Sequence, residues 1–175
     1  FYNCSSLKEI VIPKSCNRIY ANAFEQCKSL KKITMSSSVQ GFGNGAFQHC
    51  ESLQMIEISE NVNCISPYCF SCCFLLYEIN IPNSVNVINE HAFECCFSLC
   101  NVILPKSLKS IESYAFERCS GLRHIEIPDS VNKIGKCCFV WCYNLKQIVI
   151  PNNVALISES TFENCISLEK VQIPS

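Results

Sequence analysis

Residues 76–96 read LYEINIPNSVNVINEHAFECC, and the spacing of the apolar residues in this stretch decides the fold. Ile79 and Ile81 stand two apart, on one face of a strand. Ala92, Phe93 and Cys96, followed by Leu99, fall instead at i, i+1, i+4 and i+7, the spacing of one face of a short helical stretch. Pro82 follows the isoleucine pair, where it removes an amide donor and fixes φ, so the strand ends there and the chain turns back. A strand of only ~3–5 residues is not stable alone and must pair with an equivalent strand from another copy of the same unit.

Those copies are present on both sides. Phe recurs at Phe1, Phe24, Phe47, Phe70, Phe93, Phe116, Phe139 and Phe162, a period of 23 with no insertion or deletion. Cys follows each Phe by three residues (Cys4, Cys27, Cys50, Cys73, Cys96, Cys119, Cys142, Cys165), and Leu follows each Cys by three more, from Leu7 to Leu168. The strand pair recurs from Ile10 and Ile12 to Val171 and Ile173, with Pro next in six copies (Pro13, Pro82, Pro105, Pro128, Pro151, Pro174). Ser or Asn then stands at 15, 38, 61, 84, 107, 130 and 153, where its side chain is expected to bond turn amides in a column of its own. An apolar pair such as Val85 with Ile88 closes the unit.

The expected fold is an α/β repeat solenoid of eight repeats, each with one short parallel strand and one short helical turn. Coils stacked about 4.8 Å apart give a body about 35–40 Å long. The inward set is continuous from coil to coil, so residues 1–175 form a single domain, expected to be a piece of a longer chain because it begins and ends inside a repeat. Gly41, Gly43 and Gly45 are expected to loosen the second coil.

Charge is nearly balanced, with 14 Lys and Arg against 15 Asp and Glu, so no global field favours nucleic acid. Polar residues interrupt every apolar stretch short of the ~18 that would suggest insertion into a membrane. His49, His91 and His124 occupy three different repeat columns, and no carboxylate, Ser or Cys is expected to form a constellation with any of them; no catalysis, cofactor or metal is expected. Tyr68, His91 and Tyr114 share a column and read as a lateral stack.

The sixteen cysteines invite a disulfide or zinc reading, but the register places eleven in the core: the eight after Phe, Cys69 and Cys138 in the small-residue column, and Cys16 in a Val column. Cys64, Cys72, Cys95, Cys100 and Cys137 fall outside those columns and are expected to be reachable by solvent. Cys72 and Cys95 share a column at a separation a disulfide tolerates, although parallel side chains disfavour the bond.

The pattern Leu-x-x-Ile-x-Ile-Pro-x-Ser-Val-x-x-Ile-x-x-x-Ala-Phe-x-x-Cys, filled at every fixed position between Leu76 and Cys96, resembles the BspA-like leucine-rich repeats. The resemblance covers the whole chain and implies a right-handed coil with the Ile-x-Ile strands on one face. It also implies a surface or secreted protein that binds host or partner molecules. Abundant unpaired thiols favour the other reading, an intracellular structural component of a larger assembly such as a cytoskeletal one, in a reducing cytoplasm.

Function is expected where the repeat varies. The outward strand positions form two columns that include Glu78, Asn101 and His124 in one and Glu57, Asn80, Ile103 and Glu126 in the other. An aromatic flank of Phe74, Phe97, Trp141 and Tyr143 is the second candidate for contact with a protein partner, and the solenoid ends or sides are candidates for packing with further repeats. The register has a direct test: Leu99→Ala opens a cavity between two coils and is expected to cost about 2–5 kcal/mol in chemical denaturation, far more than Lys109→Ala. Equal effects of the two substitutions would refute the assignment of columns.

Overall fold

A computed structural model describes residues 1–173; Pro174, with its expected strand-ending role, and Ser175 lie outside the described residues. The chain is a parallel β-solenoid of about seven turns, fewer than the eight sequence copies, because the first and last copies are incomplete coils. Its strands in chain order are β1 (Glu9–Val11), β2 (Lys32–Thr34), β3 (Met55–Glu57), β4 (Cys64–Ile65), β5 (Glu78–Asn80), β6 (Val87–Ile88), β7 (Asn101–Ile103), β8 (Ser110–Ile111), β9 (Lys133–Ile134), β10 (Gln147–Val149) and β11 (Lys170–Gln172).

Two ladders run along the axis. The expected one joins β1 to β2, β3 to β5 to β7, and β10 to β11, always in a 23-residue register such as Ile79 opposite Val102. A second, not expected from the sequence, joins β4, β6, β8 and β9 through the apolar pair that closes each unit, with Ile65, Ile88, Ile111 and Ile134 in line.

No helix occurs among the described residues, so the expected helical turn is corrected. The Ala-Phe-x-x-Cys segment is a chain of turns with two left-handed residues per coil. In one column these are Asn3, Gln26, His49, Cys72, Cys95, Arg118, Trp141 and Asn164; in the other they include Asn22, Gly45, Tyr68, His91, Tyr114, Cys137 and Ser160. A helix would direct each amide to i−4. Here alternate amides leave the coil altogether: Phe70 N donates to Ala92 O at 2.9 Å and Cys72 N to Glu94 O at 2.7 Å, while Cys73 N turns back to Phe70 O at 3.2 Å. Axial bonding and helical bonding compete for the same donors, and axial bonding is the arrangement found.

Side chains reinforce the axial bonds. The Phe rings stack face to face from Phe1 to Phe162, with centroids 5.2–5.8 Å apart. The Cys column is more than a row of small apolar groups. From Cys27 to Cys165 each thiol donates to the carbonyl of the Phe 26 residues earlier, at 3.1–3.3 Å. The Ser and Asn column also differs from expectation. It donates to carbonyls of the preceding coil, not to turn amides, as in Ser107 Oγ to Val85 O at 2.8 Å and Asn61 Nδ2 to Ser37 O at 2.7 Å. Nor does Gly43 loosen its coil: a Cβ there would lie 2.2 Å from Ala21 N, so this glycine is required by close packing of two backbones.

Left-handed φ at Gln26 (60°) makes a clear prediction. Gln26→Gly is expected to be neutral or slightly stabilising, whereas the β-branched Gln26→Val is expected to cost about 1–2 kcal/mol in urea unfolding. Equal stability of the two variants would contradict the turn geometry.

Candidate protein-binding face

The Ile-x-Ile strands position alternate side chains outward by their two-residue period, which is how the two variable columns come to line one surface. Val11 is 70% exposed, while Met55, Ile103 and Val149 are each about half exposed on it. The ladder on this face is not continuous. It is interrupted twice: β2 and β3 are not paired, and residues 124–126 form no strand with β7, with only an isolated bridge, His124 to Gln147, leading onward to β10.

A recess of about 790 Å³ lies at the second interruption, lined by Asn101, Ile103, Lys106, His124, Glu126 and Asp129 among others. His124 Nε2 stands 3.6 Å from Glu126 Oε1 inside it. A smaller recess of about 380 Å³ lies between β3 and β5, lined by Met55, Glu57, Glu78 and Asn80. Asn101 Nδ2 donates to Glu78 Oε1 at 3.1 Å, linking the two regions across neighbouring strands. All seven sequence-selected strand-face residues therefore line one or other recess.

The aromatic flank is only partly assembled. Phe74 and Phe97 stack at 5.2 Å, and Tyr77 reaches from their side toward the strand face, its hydroxyl 4.0 Å from Met55 Sδ. Trp141 stands apart, in the left-handed column, where the Arg118 guanidinium covers its ring at 4.2 Å; Tyr143, exposed, lies two coils beyond Phe97.

Three further corrections concern groups outside this face. Cys95 is buried rather than reachable, Cys4 of the expected core set is exposed because no coil precedes it to cover it, and all sixteen thiols are free. The Cys95 thiol donates toward Cys72 and, with smaller help from Ser71 and His49, holds Cys72 down at about 6, whereas burial pushes the Cys50, Cys73 and Cys96 thiols up. His91, moreover, does meet carboxylates: its Nδ1 lies 3.1 Å from Glu94 Oε2 and 3.9 Å from Glu117 Oε2. The sequence signal was available, since Glu94 follows His91 by three residues and Glu117 follows Glu94 by one repeat.

A family model for BspA type leucine rich repeat regions matches residues 1–99 and 65–175, which together span the chain. The chain belongs to the BspA-type leucine-rich-repeat family. Among solved structures, the leucine-rich-repeat protein of T. pallidum is 33% identical over 83% of this chain and 68% of its own, with a TM-score of 0.77. A leucine-rich-repeat protein from Bacteroides ovatus is 26% identical over 100% of this chain, with a TM-score of 0.77, and the chain spans 57% of that protein's length. A pneumococcal vaccine antigen, PcpA, shares the fold at 20% identity and a TM-score of 0.66. No match is found among curated protein sequences. Among the described residues no helix is long and apolar enough to cross a membrane.

In this BspA-type chain, thiol chemistry should be selective. Alkylation of the folded protein by iodoacetamide is expected to label Cys72 with a midpoint near pH 6, and to leave Cys73 untouched. Peptide mass mapping across pH checks this, and Cys95→Ala is expected to raise the Cys72 midpoint.

Proposed function

We propose that the Ile-x-Ile face is a protein-recognition surface whose centre is the recess at the interrupted ladder. One observation carries this reading: half-exposed Ile103 stands beside Lys106, His124, Glu126 and Asp129 in the larger recess. A face that met only water needs neither a recess nor exposed Val11, Met55, Ile103 and Val149. The partner that fits is a protein segment bearing an apolar anchor for Ile103 and basic groups for Glu57, Glu78 and Glu126. Phe74, Phe97 and Tyr143 extend the contact surface, and Trp141 contributes through its Arg118-covered ring. Membership of this repeat family supports adhesion at a cell surface or in secreted form.

A second reading, a structural component inside a reducing compartment, is favoured by the sixteen free thiols. Neither reading assigns catalysis to the chain.

A photo-crosslinking residue placed at position 103, and as a control at exposed position 20, tests the surface in extract from the native source. Position 103 is expected to capture a defined protein, with capture abolished by Glu126→Lys, while position 20 captures none of it. The same proteins captured from both positions would overturn the assignment.

A further inference from the structure

Outside both ladders, the turns of two neighbouring coils bring together His91, Glu94 and Glu117, with one donor atom from each inside a span of 4.8 Å. The imidazole is fixed: Tyr68 and Tyr114 stack on its two faces with centroids at 4.7 Å and interplanar angles of 6° and 5°. Its Nδ1 is buried and has no hydrogen-bond partner, although Glu94 Oε2 is close enough to be one. Glu117 is buried, and burial together with the facing Glu94 carboxylate raises its carboxyl above the ordinary range. Counter-charge is thin. Arg118 Nε stands 3.8 Å from Glu117 Oε1 while its guanidinium covers Trp141, and Ser71 Oγ donates to Glu94 Oε2 at 3.4 Å.

A protonated His91 would answer the two carboxylates, but its Nδ1–H would then be expected to point along a hydrogen bond, and no aligned one exists. A divalent cation needs the opposite arrangement, an imidazole lone pair with no hydrogen bond and two carboxylates beside it. Tetrahedral zinc with bonds of about 2.0–2.2 Å places its donors about 3.4 Å apart. The observed 3.1 and 3.9 Å from the imidazole bracket that separation, and the three donors lie within 4.8 Å of one another, so the carboxylates have only to close on a shared ion.

We propose that His91 Nδ1, Glu94 and Glu117 form a binding site for a zinc-class divalent cation that clips two adjacent coils together, with a water completing the coordination. Glu94, the most exposed of the three, is the ligand that moves to admit the ion. The site is independent of the strand face and of any reading of that face.

Zn²⁺ titrated calorimetrically into the reduced chain, with thermal melts alongside, tests this. One tight equivalent and a melting temperature raised by several degrees are expected, with affinity more than about tenfold weaker in His91→Gln and in Glu117→Gln and unchanged in Cys72→Ser. Because the thiols compete for zinc, Co²⁺ substitution supplies a second readout, and its spectrum is expected to lack thiolate charge transfer at the first equivalent. Absence of binding, survival of tight binding in Glu117→Gln, or a thiolate band at that equivalent would each overturn the site. Should His91→Gln fail to fold, Glu117→Gln and Glu94→Gln carry the test.

Discussion

Every feature of this solenoid depends on bonding along its axis. A coil of 23 residues is too small to bury its own apolar face, so it is stable only where the coils before and after it complete its hydrogen bonds and cover its side chains. The axial amides of the turn segment, the Phe stack and the thiol-to-carbonyl bonds all repeat at that single spacing. An inserted residue anywhere in a coil would shift all three at once, which is the physical reason that the period contains none.

That constraint also explains the cysteines. The position after Phe demands a group small enough for a close-packed interior and able to donate to the carbonyl of the preceding coil's Phe, such as Phe70 O for Cys96. A thiol does both with less desolvation than a hydroxyl, because S–H is a weak donor and loses little on leaving water. Burial then raises the pKa of these thiols and leaves them inert. Cys72 differs because the left-handed turn carries it out of the core column, where the Cys95 thiol can donate to it.

Columns were legible in the sequence; directions of bonding were not. The Phe, Cys, Leu and Ile-x-Ile periodicities located the core, one ladder and the outward residues that line both recesses. A helical turn does not follow from the i, i+1, i+4 and i+7 spacing, because that spacing suits any compact turn that keeps those residues inward. Gln26, His49 and Arg118 carried the missing information, since their column and the Asn22 column contain no β-branched residue, as left-handed φ requires. The second ladder was hidden because its strands span only two residues, such as Val87–Ile88, too few to show alternation. The His91 cluster does not show in a comparison of histidines by column, because its neighbours in space come from an i+3 step and a step of one repeat.

The interruption beside β7 shows how such a scaffold can acquire a site without losing its core. Ile125 and Leu122 remain buried in register while the backbone ladder at 124–126 is open, so side-chain stacking and strand pairing are separable constraints. Where both hold, as between β3 and β5, the recess is the smaller of the two and side chains line it over an intact ladder. Beside β7, where pairing lapses, backbone groups and side chains of two coils become available together in a concave space, with the unbroken core beneath holding them in place. A recess of this kind costs little stability, because most of the burial that holds the coil comes from its inward columns and not from the ladder.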